Sequence, residues 1–167
     1  ASFAWADFNL DGKMDLAVAG QRQASNAEIL VFENTGSAFV SHSLSLALHA
    51  GGSGSRGIAA GDFNNDGYPD LAVTGIAPTN SKGRMAVFFN TGAAFPVGTL
   101  AWTRQEYFTP DGITKGSLAA ADMDADGDVD LLLNGLNGST RVVRYLRNRR
   151  VDGGLAANAV PSASDLN

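Results

Sequence analysis

A chain of 167 residues, 44% hydrophobic, with a formal net charge of −5 and no cysteine, can bury a core without disulfides. Its acidity and the lack of a long basic stripe exclude nucleic-acid binding as a class, and no apolar run is long enough for a membrane-spanning helix. Eleven of the seventeen acidic residues fall in three short segments, so the charge is a property of those segments rather than of the surface as a whole.

The first predicted element is a small-residue strand, Phe3-Ala4-Trp5-Ala6. An oxygen-rich loop follows with Asp7, Asn9, Asp11, Gly12 and Asp15, and opens into the apolar run Leu16-Ala17-Val18. A third strand, Ile29 to Phe32, ends at Asn34-Thr35-Gly36, and Ala38 to Leu48 supplies a fourth. The order then restarts. Gly57 to Gly61 leads into a loop with Asp62, Asn64, Asp66, Gly67 and Asp70, then Leu71-Ala72-Val73, then Met85 to Phe89 ending at Asn90-Thr91-Gly92, with a fourth strand within Ala94 to Phe108. In the third round Ser117 to Ala121 precedes Asp122, Asp124, Asp126, Gly127 and Asp130, then Leu131-Leu132-Leu133, and Val142 to Leu146 runs to Asn148. Short apolar runs stopped by glycine or asparagine read as strands, and no amphipathic helical period competes with them.

The loop spacing suits calcium, which takes six to eight oxygen ligands at about 2.3–2.6 Å. Side chains at positions one, three, five and nine of each loop are the candidate ligands: Asp7, Asn9, Asp11 and Asp15; Asp62, Asn64, Asp66 and Asp70; Asp122, Asp124, Asp126 and Asp130. Position seven is Lys13, Tyr68 or Asp128, which share no side-chain chemistry but all offer a carbonyl, the expected backbone ligand. Gly12, Gly67 and Gly127 stand where the chain must turn with positive φ. Three calcium ions are expected. An EF-hand would end in a glutamate at position twelve between helices, whereas Val18, Val73 and Leu133 occupy that place inside strands.

Four short antiparallel strands recurring after about 40–60 residues describe a β-propeller blade. The expected fold is all-β, with three blades over residues 1–54, 55–115 and 116–150, the last lacking its outer strand, and a linker or tail over 151–167. On the threefold loop and the Asn-Thr-Gly strand ends, the chain resembles FG-GAP/VCBS repeats, the blades of integrin-α-type propellers. The resemblance implies a noncatalytic, secreted or cell-surface module for adhesion, ligand binding or extracellular assembly, with a protein or glycan ligand. The alternatives are a lectin-type propeller, a filament protomer completed by strand exchange, and an accessory module of a larger secreted enzyme. Three repeats fall short of the four-bladed closed form, so other blades or other chains are expected to complete the ring.

Other residue groups carry weaker expectations. His42 and His49 have no paired acid at a recognisable spacing and are assigned surface or packing roles. Trp5, Trp102, Tyr107 and Phe108 are expected in the core, with sugar stacking as the alternative. Arg141, Arg144, Arg147, Arg149 and Arg150 are expected to guard an open strand edge. Asn137-Gly138-Ser139 reads as a tight hairpin turn in preference to a glycosylation site.

Overall fold

A computed structural model describes residues 1–23, 26–44, 57–76, 83–92, 95, 102–107, 114–137 and 139–148. Their strands are β1 (Ser2–Ala6), β2 (Asp15–Gln23), β3 (Asn26–Asn34), β4 (Phe39–Ser43), β5 (Ile58–Gly61), β6 (Asp70–Ile76), β7 (Gly83–Asn90), β8 (Trp102–Tyr107), β9 (Thr114–Ala121), β10 (Asp130–Asn137) and β11 (Thr140–Leu146). They form three antiparallel sheets in simple up-and-down order, β1-β2-β3-β4, β5-β6-β7-β8 and β9-β10-β11. Among the described residues there is no helix, and none is long and apolar enough to cross a membrane.

The register repeats from sheet to sheet. Trp5 lies opposite Leu16 and Leu16 opposite Phe32, just as Ala60 lies opposite Leu71 and Leu71 opposite Phe88. In the third sheet β10 and β11 pair as far as Asn137 and Thr140, as the tight turn read from Asn137-Gly138-Ser139 requires, while Gly138 itself lies outside the described residues. The fourth strands fall inside the two expected segments, at Phe39–Ser43 and Trp102–Tyr107. The proposed connector around Gly51 to Ser55, His49, Phe108, Arg149, Arg150 and the tail lie outside the described residues.

The three sheets pack face to face in sequence order, and this decides which residues are buried. The middle sheet is covered on both faces. Ile58, Leu71, Val73 and Phe88 meet Ala17, Ala19, Ile29 and Val31 of the first sheet, while Ala72, Met85 and Val87 meet Leu131 and Leu146 of the third. That is why Leu71-Ala72-Val73 is a continuous apolar run: successive side chains point to opposite faces, and here both faces are dry. The strand β1 alternates between half-buried and exposed, because one of its faces has no described sheet against it.

That arrangement corrects the expectation for Trp5, which is 48% exposed on the open face of the first sheet rather than in the core. Trp102 does pack against the core, edge-on to Phe8 at 5.7 Å. His42 takes the packing role expected of it, with an acid beside it that the spacing did not indicate. Its Nε2 lies 3.0 Å from Glu33 Oε2, a cross-strand neighbour that no spacing rule would flag, and its ring stacks on Phe95.

Candidate metal centre

Each loop joins the first strand of a sheet to the second, and all three have the same internal wiring. The first carboxylate turns back on the chain: Asp7 accepts from the N–H of Asp11 at 3.0 Å and of Gly12 at 2.7 Å, Asp62 from Asp66 at 3.1 Å and Gly67 at 2.8 Å, and Asp122 from Asp126 at 3.2 Å and Gly127 at 3.0 Å. Position five accepts from the N–H of position seven, with Asp11, Asp66 and Asp126 bonded by Lys13, Tyr68 and Asp128 at 2.9–3.0 Å. These Asx-type bonds wind the loop into a tight coil that gathers its acids on one side.

Gly12, Gly67 and Gly127 have φ of 85°, 91° and 93°, as the turn requires. Position four is left-handed too, at Leu10 (57°), Asn65 (52°) and Ala125 (60°). Asparagine is at home in that region, whereas leucine and alanine are poor choices for it and stay there because the loop's hydrogen bonds over-determine it.

Position nine does more than the sequence suggested. Asp15, Asp70 and Asp130 are completely buried. One oxygen of each accepts from the N–H of loop position two, namely Phe8 at 3.0 Å, Phe63 at 2.9 Å or Met123 at 3.0 Å. The other accepts from the strand-end asparagine, Asn34 at 2.8 Å, Asn90 at 2.8 Å or Asn148 at 2.7 Å. This carboxylate therefore ties the loop to the third strand of its own sheet. In the third sheet Tyr145 adds a hydroxyl donor to Asp130 at 2.8 Å.

The same asparagine joins neighbouring sheets. Asn90 Nδ2 donates to the carbonyl of Phe8 at 2.7 Å, and Asn148 Nδ2 to that of Phe63 at 2.9 Å. Phe8 and Phe63 are themselves buried under the following sheet. Replacing Asn90 with Ala should cost about 2 kcal/mol, because it orphans the buried Phe8 carbonyl as well as removing the bond. Asn34→Ala should cost less, since among the described residues the Asn34 Nδ2 donates only to Met14, within its own sheet. Urea unfolding of both variants checks the difference, and equal losses would remove the inter-sheet role.

Burial and the neighbouring charges of Asp66 and Asp62 push the Asp70 carboxyl up to about 7, while its two backbone donors pull the other way. Burial likewise raises Asp15. Carboxylates held together at such a site favour a bound cation, which offsets both the lost solvation and the mutual repulsion.

The three loops differ in how far their acids converge. In the third, carboxylate oxygens of Asp122, Asp124 and Asp130 lie within 4.8 Å of one another, a set that could hold a metal ion. Protein cations also touch these acids. Lys13 Nζ pairs with Asp11, and Arg147 bridges Asp124 and Asp126, so Arg147 serves the loop rather than only guarding an edge. The all-oxygen donor set, with carboxylates in the majority, fits a hard divalent cation and offers no nitrogen or sulfur for zinc.

Residues 3–73 match the family of FG-GAP-like repeats, a span that includes the first two loops, all of β5 and the start of β6. No curated protein matches the chain.

Proposed function

Since the chain carries FG-GAP-type repeats over residues 3–73, we propose that it is a noncatalytic, calcium-binding module of propeller type, working outside the cell in adhesion, ligand binding or assembly. Each of its three loops holds one Ca²⁺ through the side chains at positions one, three, five and nine and the carbonyl of position seven. The observation that carries this reading is the identical wiring of three oxygen-rich loops, one of which brings Asp122, Asp124 and Asp130 together.

The ion's work is mechanical. Position nine already ties the loop to the third strand, and the strand-end asparagine ties that sheet to its neighbour. A cation that fixes the loop therefore stiffens the junction between sheets as well as the turn itself. Loops of this class in extracellular modules bind with dissociation constants of roughly 10⁻⁴–10⁻³ M, matched to calcium levels outside cells.

Calorimetric titration should detect about three ions per chain, with thermal stability rising in millimolar calcium. Asp66→Ala should lose much of that calcium-dependent gain and change little in chelator, because Asp66 is exposed and its side chain bonds only within the loop. Equal unfolding temperatures of the wild type in calcium and in chelator would overturn the reading.

A further inference from the structure

Among the described residues, the two outer sheets leave open faces that are copies of faces already joined inside the molecule. On the first sheet the open face carries Phe3, Trp5, Leu16, Val18 and Phe32, with Phe3 66% and Trp5 48% exposed. Counted from the loop and the strand end, these are the positions of Ile58, Ala60, Leu71, Val73 and Phe88, through which the second sheet packs on the first. On the third sheet the open face carries Ala119, Leu132 and Val143, the last 48% exposed. These are the positions of Ala4, Ala17 and Ile29, through which the first sheet packs on the second.

The polar clamp is likewise unfinished at both ends. Phe8 and Phe63 are buried and their carbonyls accept from Asn90 and Asn148, whereas Met123, the third residue of this series, is 41% exposed and its carbonyl has no such donor among the described residues. At the other end Asn34 makes the same bond inside its own sheet as its counterparts, to Met14 at 3.2 Å where Asn90 has Pro69 and Asn148 has Val129. Among the described residues it lacks the bond to another sheet.

We propose that the open face of the first sheet binds the open face of the third sheet of a second copy of this chain, with Asn34 donating to the carbonyl of the partner's Met123. The interface continues the two that exist within the chain: the same clamp, the same strand positions, and large side chains, Phe3 and Trp5, set against the alanines of the third sheet. The contact is head-to-tail, so each copy uses one face of each kind, and two copies close a ring of six sheets, within the range of four to eight known for closed propellers. It does not rest on the cation.

Light scattering over a wide concentration range, in calcium, should give the mass of two chains. Trp5→Asp should yield monomers, and Asn34→Ala should weaken association by roughly tenfold, a loss typical of one hydrogen bond to a buried acceptor. Far-UV circular dichroism of each variant shows that the sheets are kept. The absence of cysteine supplies a second measurement that needs no loss of function. Trp5→Cys and Ala119→Cys chains should form a disulfide-linked dimer when mixed and none when either is oxidised alone. A monomer at every concentration, an open-ended polymer, a dimer indifferent to both Trp5 and Asn34, or cross-linking by one variant alone would each overturn the proposal.

Discussion

Asp70→Ala should lower stability by about 2–5 kcal/mol even in chelator, since it leaves two buried N–H groups without acceptors, and should forfeit the gain from calcium as well, since it removes a proposed ligand. Those groups belong to Phe63, at 2.9 Å, and Asn90, at 2.8 Å, so the loss detaches the loop from the third strand and loosens the clamp on the first sheet. Asp66→Ala should leave stability in chelator little changed, and the contrast in chelator separates a carboxylate that also staples the fold from one that serves the loop alone. An Asp70→Ala protein that recovers wild-type stability in chelator would show that the buried staple contributes nothing.

The pH dependence of the chelated protein carries the same signature. Burial, with the charges of Asp66 and Asp62, raises the Asp70 carboxyl from 3.8 to about 7 in the folded state. Between those values the folded chain keeps a proton that the unfolded chain has released. Its contribution to stability is therefore fully present at the acid end of the window and is lost as pH rises through about 7. On the proposed calcium reading the ion requires the ionised form, so the gain from calcium should grow over the same window. The gap between the unfolding temperatures of wild type and Asp70→Ala in chelator, measured from acid to neutral pH, should narrow as pH rises without closing. A constant gap would exclude Asp70 as the titrating group.

Gly57→Ala should cost about 3 kcal/mol, or roughly 10 °C in unfolding temperature for a chain of this size. A Cβ at this position would lie 2.6 Å from the Leu118 nitrogen and 2.8 Å from the Ser117 carbonyl carbon, so backbone confronts backbone between the second and third sheets. Gly57 cannot easily withdraw, because its N–H donates to the Thr74 hydroxyl at 2.8 Å and its carbonyl accepts from Thr74 N–H at 2.9 Å. Gly67→Ala provides the control: its Cβ would meet open space, and only the positive φ is penalised, by about 1 kcal/mol. Equal losses at the two positions would mean that crowding between the sheets is not what Gly57 relieves.

Much of this was legible because strand and loop signals are local. Leu71-Ala72-Val73 could be read as a strand, and the glycine at loop position six as a left-handed residue, from the chemistry of single residues and their near neighbours. The strand-end asparagines were visible as a recurrence at 34, 90 and 148, but their work was not, since Asn90 acts on Phe8 and Asn148 on Phe63, partners more than eighty positions away. The phenylalanines at loop position two were missed for the same reason. Trp5 was placed in the core on its size, and only the stacking order of the sheets leaves its face open.

What the sequence determined by itself is therefore the repeating unit: the strands, the coiled acidic loop and the ion chemistry its oxygen atoms favour. These follow from alternation and from side chains that bond within a few residues of themselves. The tertiary structure alone decided which carboxylate is buried as a staple, which amide crosses between sheets, and which faces stay uncovered at the two ends. Each of those depends on the desolvation and hydrogen-bond partners that distant segments impose, and sheet packing sets them rather than any local spacing.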